Sequence, residues 1–125
     1  MIALSKEQVL LIHKQLIDHY GGIHGIRDEG LLDSALHSPF QSFGGYDLFP
    51  SVADKAARLC IGLVQNHPFL DGNKRIGAMI LLMTLDLNHI EFHTDSQELA
   101  DIILRLAAKE IDAESFFQWV KNGIF

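Results

Sequence analysis

The stretch HPFLDGNKRIGAMILLMTLDL, residues 67–87, decides the fold. Its second part, Ile76 to Leu87, is apolar on nearly every face of a helix, and such a helix belongs at the centre of a domain. Its first part, His67 to Arg75, is polar or Gly at six of nine positions. Pro68 pushes His67 out of the helical region, so an upstream helix must stop near Asn66. The chain therefore places a cluster of chemically capable residues in a loop at the mouth of its own core.

Outward from this stretch the punctuation is that of a helical bundle. Ser5 with Gln8 forms a capping box, Val9, Ile12, Leu16 and Tyr20 follow at helical spacing, and Gly21-Gly22 is the stop. Asp28 caps a short helix carrying Leu31, Leu32, Ala35 and Leu36, which Ser38-Pro39 ends. Ser51 with Asp54 opens another, with Val52, Ala56, Leu59, Cys60 and Leu63 inward. After Asn88-His89, Ile90, Phe92 and Thr94 read as briefly extended. Asp95 with Glu98 then starts a helix bearing Leu99, Ile102, Ile103 and Leu106. Asp112 caps the last, with Ile111 stapled onto Phe116, Trp119 inward and Asn122-Gly123 as the stop. Between Phe40 and Pro50 the helical period disappears. Phe40, Phe43, Tyr46 and Phe49 surround Gly44-Gly45, which predicts a small hairpin flap. The sum is an all-α domain of about six helices around a buried central helix.

Composition narrows the function. A chain of 125 residues is one domain's worth and needs no staples. Its net charge of -6, with no basic stripe, argues against direct nucleic-acid binding, whose affinity comes from counterion release. The single Cys60 excludes an intrachain disulfide and a Cys-rich zinc site and suits a reducing cytosol. The longest apolar run, Ile76 to Leu85, is about half of the ~20 residues needed to span a bilayer. With no basic and apolar leader at its start either, the chain is expected to be cytoplasmic, with no membrane contact.

The loop itself reads as a phosphate cradle. Gly72 to Arg75 opens a helix, where unpaired N–H groups and the macrodipole favour an anion. Gly72 permits close backbone approach, and Lys74 and Arg75 add two cations, the guanidinium suited to bidentate phosphate contacts. Asp71 would repel phosphates unless a divalent cation stood between, and magnesium is the natural one. Histidine as a residue type ionises near neutrality, and His67 just before the cradle is therefore suited to act as a general base on a hydroxyl. Phe69 and Leu70 read as apolar anchors of the loop. An ordinary turn would account for Asp71, Gly72 and Asn73, but not for the adjoining His67, Lys74 and Arg75.

The pattern His67-x-Phe69-x-Asp71-Gly72-Asn73-x-Arg75 resembles the signature of the Fic/Doc family, helical proteins that transfer part of a nucleotide to a protein hydroxyl. Gly21 to Asp28, Leu31 to Leu36 and Lys55-Ala56-Ala57 look like its Doc branch, the death-on-curing toxins, so the resemblance covers essentially the whole chain. It implies a single Fic/Doc domain over 1–125, a Fic-like bundle with a small β-hairpin flap. His67 would be the base that deprotonates the target hydroxyl, Asp71 the magnesium-holding acid, and Gly72 and Asn73 the anion-hole backbone. Arg75 would bind phosphate beside Lys74. A flap with Phe43, Gly44, Gly45 and Tyr46 at its tip would pair with an extended stretch of the target.

Two departures from the AMP-transferring pattern bear on the reaction. Lys74 stands where that pattern has Gly, and Ala78 where it has a second Arg. In the Doc branch such changes go with an inverted nucleotide, so the resemblance implies a toxin that moves the terminal phosphate of ATP, with Mg2+, to a Ser/Thr hydroxyl. Translation elongation factor Tu is the implied target, and AMP transfer on the same scaffold is the alternative. Some relatives carry an inhibitory Ser/Thr-x-x-x-Glu-Gly/Asn helix. Thr94 to Leu99 ends in Leu99 instead, and Gly25 to Gly30 begins with Gly25, so inhibition is expected in trans from an antitoxin. A zinc hydrolase built on His89 and His93 is disfavoured because no third ligand lies nearby. A catalytically dead interaction module is disfavoured by the intact His67, Asp71 and Arg75. His13, His19, His24 and His37 fall at no ligand spacing and read as surface or packing residues.

Overall fold

The structure, a computed structural model, describes residues 1–124. Among them are six α-helices: α1 (Lys6–Tyr20), α2 (Glu29–His37), α3 (Val52–Gln65), α4 (Asn73–Leu87), α5 (Ser96–Ala107) and α6 (Ala113–Asn122). A 3-10 turn over Ser38–Phe40 leads from α2 into a hairpin of β1 (Ser42–Phe43) and β2 (Tyr46–Asp47). The expected all-α bundle with a flap is present.

Five of the helices start on a side-chain cap. The Ser5 hydroxyl accepts the Gln8 N–H at 3.1 Å while Gln8 Oε1 accepts the Ser5 N–H at 2.8 Å, the full reciprocal box. Asp28, Ser51, Asp95 and Asp112 accept from Leu31, Asp54, Glu98 and Ser115. The box expected at Ser51 is only half made. Asp54 is a methylene shorter than Glu, and its carboxylate is drawn to Lys121 Nζ at 3.1 Å. Glu98 likewise turns away, accepting the Trp119 indole N–H at 2.9 Å.

The centre of the bundle is α3 rather than α4. Ten of the 14 residues of α3 are buried, against seven of the 15 in α4. Small residues explain the difference. Ala53, Ala56, Ala57, Cys60 and Gly62 let neighbours close in on all sides, and a Cβ on Gly62 would come within 3.0 Å of the Ala35 backbone. The Lys55 and Arg58 charges mask this in the sequence. Lys55 is buried because its Nζ reaches back to Asp47 Oδ2 at 3.2 Å and to the Phe49 carbonyl, tying the flap to α3. Cys60 is fully buried, which pushes its thiol pKa up and leaves it a packing residue.

Two apolar clusters meet on α3 and α4. One joins them to α5 and α6 through Ile103, Leu106, Phe116 and Val120. The other joins them to α1 and α2 through Val9, Leu16, Leu32, Ala35 and the loop residue Phe69. Tyr20 does not continue the inward face of α1, being 58% exposed.

In the hairpin, Phe43 lies opposite Tyr46, and Gly44 (φ 59°) and Gly45 (φ 82°) make the turn, both in the left-handed region that a two-residue hairpin loop requires. Phe43 and Tyr46 are 81% and 80% exposed. Phe49 instead packs on Phe117, with ring centroids 5.8 Å apart. Beyond α4, Phe92 makes a single bridge with Ile124. No helix among the described residues is long and apolar enough to cross a membrane.

The cap of α6 gives a pH test. The Ser115 N–H holds the Asp112 carboxyl below its ordinary pKa of 3.8. A depressed carboxyl stabilises the fold above its unfolded pKa, and that contribution is lost as pH falls through the lower folded value. Urea unfolding should show Asp112→Ala less stable than the parent at neutral pH, with the two midpoints converging under acid. Midpoints that stay equally far apart would assign the effect to something other than the carboxylate charge.

Candidate active site

The loop from His67 to Gly72 links the end of α3 to the start of α4, and the connection between α1 and α2 holds it in place. Arg27 Nε donates to the His67 carbonyl at 2.6 Å, and Arg27 Nη2 donates to the Asn66 carbonyl at 3.0 Å. The Arg27 and Asp28 N–H groups both donate to the Pro68 carbonyl, and the Leu70 N–H donates to Gly25. These contacts hold His67 at φ 53°, a left-handed conformation that costs a non-glycine residue of order 1–3 kcal/mol. All of them run through the backbone, so the exposed imidazole makes no hydrogen bond to any described residue.

Phe69 anchors the loop as expected, at 1% exposure. Leu70 does not. It is 49% exposed, because the segment that pairs with Gly25 turns its side chain outward. Asn73 is 3% exposed and brackets the Phe69 peptide: its Oδ1 accepts the Phe69 N–H at 2.9 Å and its Nδ2 donates to the Phe69 carbonyl at 3.0 Å. What Asn73 offers a ligand is therefore its backbone N–H alone.

The Asp71 carboxylate is fixed at both oxygens. Oδ1 accepts the Gly72 N–H at 2.8 Å and Oδ2 accepts the Ile23 N–H at 3.1 Å. This close approach of the 21–23 turn explains Gly22, where φ is 123° and a Cβ would stand 2.6 Å from Asp71 Oδ2. The Asp71 carbonyl accepts from His13 Nε2 at 2.8 Å.

At the start of α4 the cap rule of the other helices is broken. Gly72 occupies the N-cap position in the left-handed region (φ 77°, ψ 17°) and no side chain caps the helix. The first backbone bond is the Ile76 N–H to Gly72 at 2.9 Å, which leaves the N–H groups of Asn73, Lys74 and Arg75 without an acceptor among the described residues. Lys74 and Arg75 are exposed, and neither forms an ion pair with a described carboxylate. The Arg75 guanidinium lies 4.2 Å over the Tyr20 ring.

The loop and the start of α4 open onto one cleft of about 700 Å³ between α1, α4 and α5. His67, Asp71, Gly72, Asn73, Lys74 and Arg75 line one end, and Ala78, Met79, Leu82, Leu99 and Ile103 line the apolar remainder. Every predicted catalytic and phosphate-binding residue is thus in one place, while the flap tip with Phe43 and Tyr46 is not among the lining residues. Among the described residues no group of three or more His, Cys, Asp or Glu is arranged to hold a metal, His89 and His93 included.

Four supporting residues escape the sequence reading. His13 is 4% exposed and stacks on Phe69, with centroids 3.7 Å apart and planes 9° apart. Burial holds its imidazole pKa below the ordinary value. Arg27, Gly22 and Tyr20 are the others. Their proximity to residues 66–75 comes from tertiary packing; the sequence signal for Gly22 and Arg27 is that they fall in the 21–28 segment that resembles the Doc branch, with Tyr20 at the end of α1 just before it.

The chain matches the Fic/DOC family over residues 3–85. It is 34% identical over 98 residues to Toxin Doc of Mycolicibacterium smegmatis (strain ATCC 700084 / mc(2)155), covering 77% of this chain and 75% of that one. It is 30% identical over 112 residues to Protein kinase doc of Escherichia phage P1, covering 90% and 87%. The uncapped helix start with Lys74 and Arg75, and His67 and Asp71 beside it, all lie within the matched segment, and the chain belongs to the Fic/DOC family.

Proposed function

We propose that this protein transfers the terminal phosphate of ATP to a Ser or Thr hydroxyl of a target protein, as the toxin of a toxin–antitoxin pair acting in the cytoplasm. The observation that carries the reading is the uncapped start of α4, with three free N–H groups and two unpaired cations opening onto a cleft of about 700 Å³. The names of the two relatives, a toxin and a protein kinase, support the same direction.

Each residue then has a task set by its position. The free His67 imidazole accepts the proton of the attacking hydroxyl, its place held by Arg27 through the backbone. The N–H groups of Asn73, Lys74 and Arg75 and the two side-chain cations bind phosphate oxygens, and charge neutralisation of this kind dominates phosphoryl transfer. Asp71 fits a magnesium ion: it is a single oriented carboxylate, and Mg2+ takes one or two carboxylates and completes its shell from phosphate and water. When bound, Mg2+ would neutralise charge on the phosphates. Ala78 lines the cleft without any cation, and the absence of a second Arg there favours phosphate over AMP transfer. The apolar length of the cleft leaves room for the nucleoside.

Among the described residues no carboxylate forms an ion pair with Arg75. Glu29 pairs with Lys6, and Glu98 accepts from Trp119, so inhibition falls to an antitoxin in trans. The exposed hairpin, with Phe43 and Tyr46 on one face, is suited to pairing with an extended target segment, which we take to be part of elongation factor Tu.

Purified protein with magnesium and ATP should add the mass of one phosphate to its target in a cell lysate, read by intact-protein mass spectrometry. Gain of an adenylyl group would replace the kinase assignment with the alternative. His67→Ala should lower transfer about 10²–10⁴-fold with an unchanged thermal midpoint, since the contacts of His67 are made by its backbone. Phe43→Ala with Tyr46→Ala should raise KM for the protein target while leaving KM for ATP unchanged. A shift in the ATP constant instead would remove the flap from target recognition.

A further inference from the structure

We propose that His13 is a positioning residue that sets the orientation of the Asp71 carboxylate through the Asp71–Gly72 peptide. Its kinetic consequences rest on the transferase reading above; its structural consequence does not.

A carbonyl oxygen only accepts, so the 2.8 Å contact to Asp71 requires the proton of His13 on Nε2. The ring bearing it is immobile, being 4% exposed on the rigid helix α1 and stacked nearly parallel on Phe69 at 3.7 Å. In a trans peptide the C=O and the following N–H point in opposite directions. Holding the Asp71 carbonyl toward α1 therefore turns the Gly72 N–H the other way, where it donates to Asp71 Oδ1 at 2.8 Å. The chain does not choose this orientation for itself. Gly72 lacks a Cβ and visits both signs of φ readily, so the 71–72 peptide is free to turn unless something grips it. Turned over, it would set the Asp71 carbonyl against its own carboxylate, two acceptors facing each other, and leave the buried His13 donor unpaired.

His13 thus acts at one remove from the site. The Ile23 N–H holds one carboxylate oxygen from the 21–23 turn, and His13, through the peptide, holds the other. Gly72 sits against α1 at this grip: a Cβ there would lie 3.1 Å from Ile17 Cδ1 and in ordinary contact, 3.6 Å, with His13 Nε2.

The test uses the full chain free of metal and nucleotide, then the same samples with magnesium, ATP and target. In the wild type, imidazole 15N shifts should report the Nε2–H tautomer for His13; an Nδ1–H tautomer overturns the proposal without any variant. His13→Phe keeps a ring on Phe69 but loses the donor, whereas His13→Gln restores an N–H near the Nε2 position. Exchange of the Gly72 amide with solvent should quicken about tenfold or more in His13→Phe and return toward wild type in His13→Gln. Equal exchange in all three overturns the proposal. In the transfer assay kcat of His13→Phe should fall about 10²-fold, with KM for the protein target unchanged and most of the loss recovered in His13→Gln. Wild-type transfer with an undiminished kcat in His13→Phe refutes the positioning role. A wild type that transfers nothing refutes the functional reading instead, and the tautomer and the amide exchange still decide the role of His13.

Discussion

The site depends on the closure of the Asn73 carboxamide on the backbone of Phe69. One side chain supplies both an acceptor, at 2.9 Å, and a donor, at 3.0 Å, to the two polar groups of a buried residue. Asp lacks the donor, and Ser is too short to bridge both groups. The bond pair keeps Phe69 in the core, where His13 stacks on it, and so fixes the height of the loop that carries His67 on one side and Asp71 on the other. It also has a consequence for the helix. Gly72 at the N-cap has no side chain and Asn73 is turned back to the loop, so the start of α4 lacks the side-chain cap that Ser or Asp supplies in the other five helices, and its N–H groups stay open to the cleft.

The same division of labour explains why α4 is so apolar yet not the most buried helix. Its inner face, Ile76, Ile80, Leu81 and Leu85, packs into both core clusters. Three of its other apolar residues, Ala78, Met79 and Leu82, line the cleft with Leu99 and Ile103 of α5. Hydrophobicity on every face reads as burial in a sequence, because a residue facing a ligand-sized cleft and one facing the core look alike. The opposite error occurs at α3, where Ala, Gly and Cys carry little hydrophobicity and two cations break the pattern. Small side chains allow the closest packing, and the long stem of Lys55 crosses the apolar layer to reach its partners on the flap.

Local chemistry was legible where it is local. The caps at Ser5, Asp28, Asp95 and Asp112, the stop before Pro68, the Gly44-Gly45 turn and the helix start at Gly72 to Arg75 each involve residues within four positions of one another. Their physics is written in adjacent letters. What was not legible spans long separations. His13 reaches Asp71 across 58 positions, Arg27 reaches His67 across 40, and Ile23 reaches Asp71 across 48. A lone His at no ligand spacing has no mark by which to tell a loop anchor from a surface residue. Leu70 erred in the other direction, since an apolar letter beside Phe69 says nothing about which of two neighbours faces in.

The charge distribution reconciles an acidic protein with the anionic ligand proposed for it. Lys6, Lys14, Lys55, Arg105 and Lys121 are each paired with a carboxylate, and Arg27 is occupied by loop carbonyls. Lys74 and Arg75 stand side by side without such partners among the described residues, so the net charge of -6 describes the surface and not the cleft. Surface carboxylates farther away than about 8 Å are largely screened at physiological salt, while contacts made at the start of α4 are not. The stacking of Arg75 on Tyr20 adds to this. The guanidinium carbon lies 4.2 Å over the ring, a contact that uses none of the N–H donors with which an arginine meets phosphate oxygens in pairs. An aromatic at the exposed end of α1 thus holds the arginine without neutralising it, as no carboxylate in that place would.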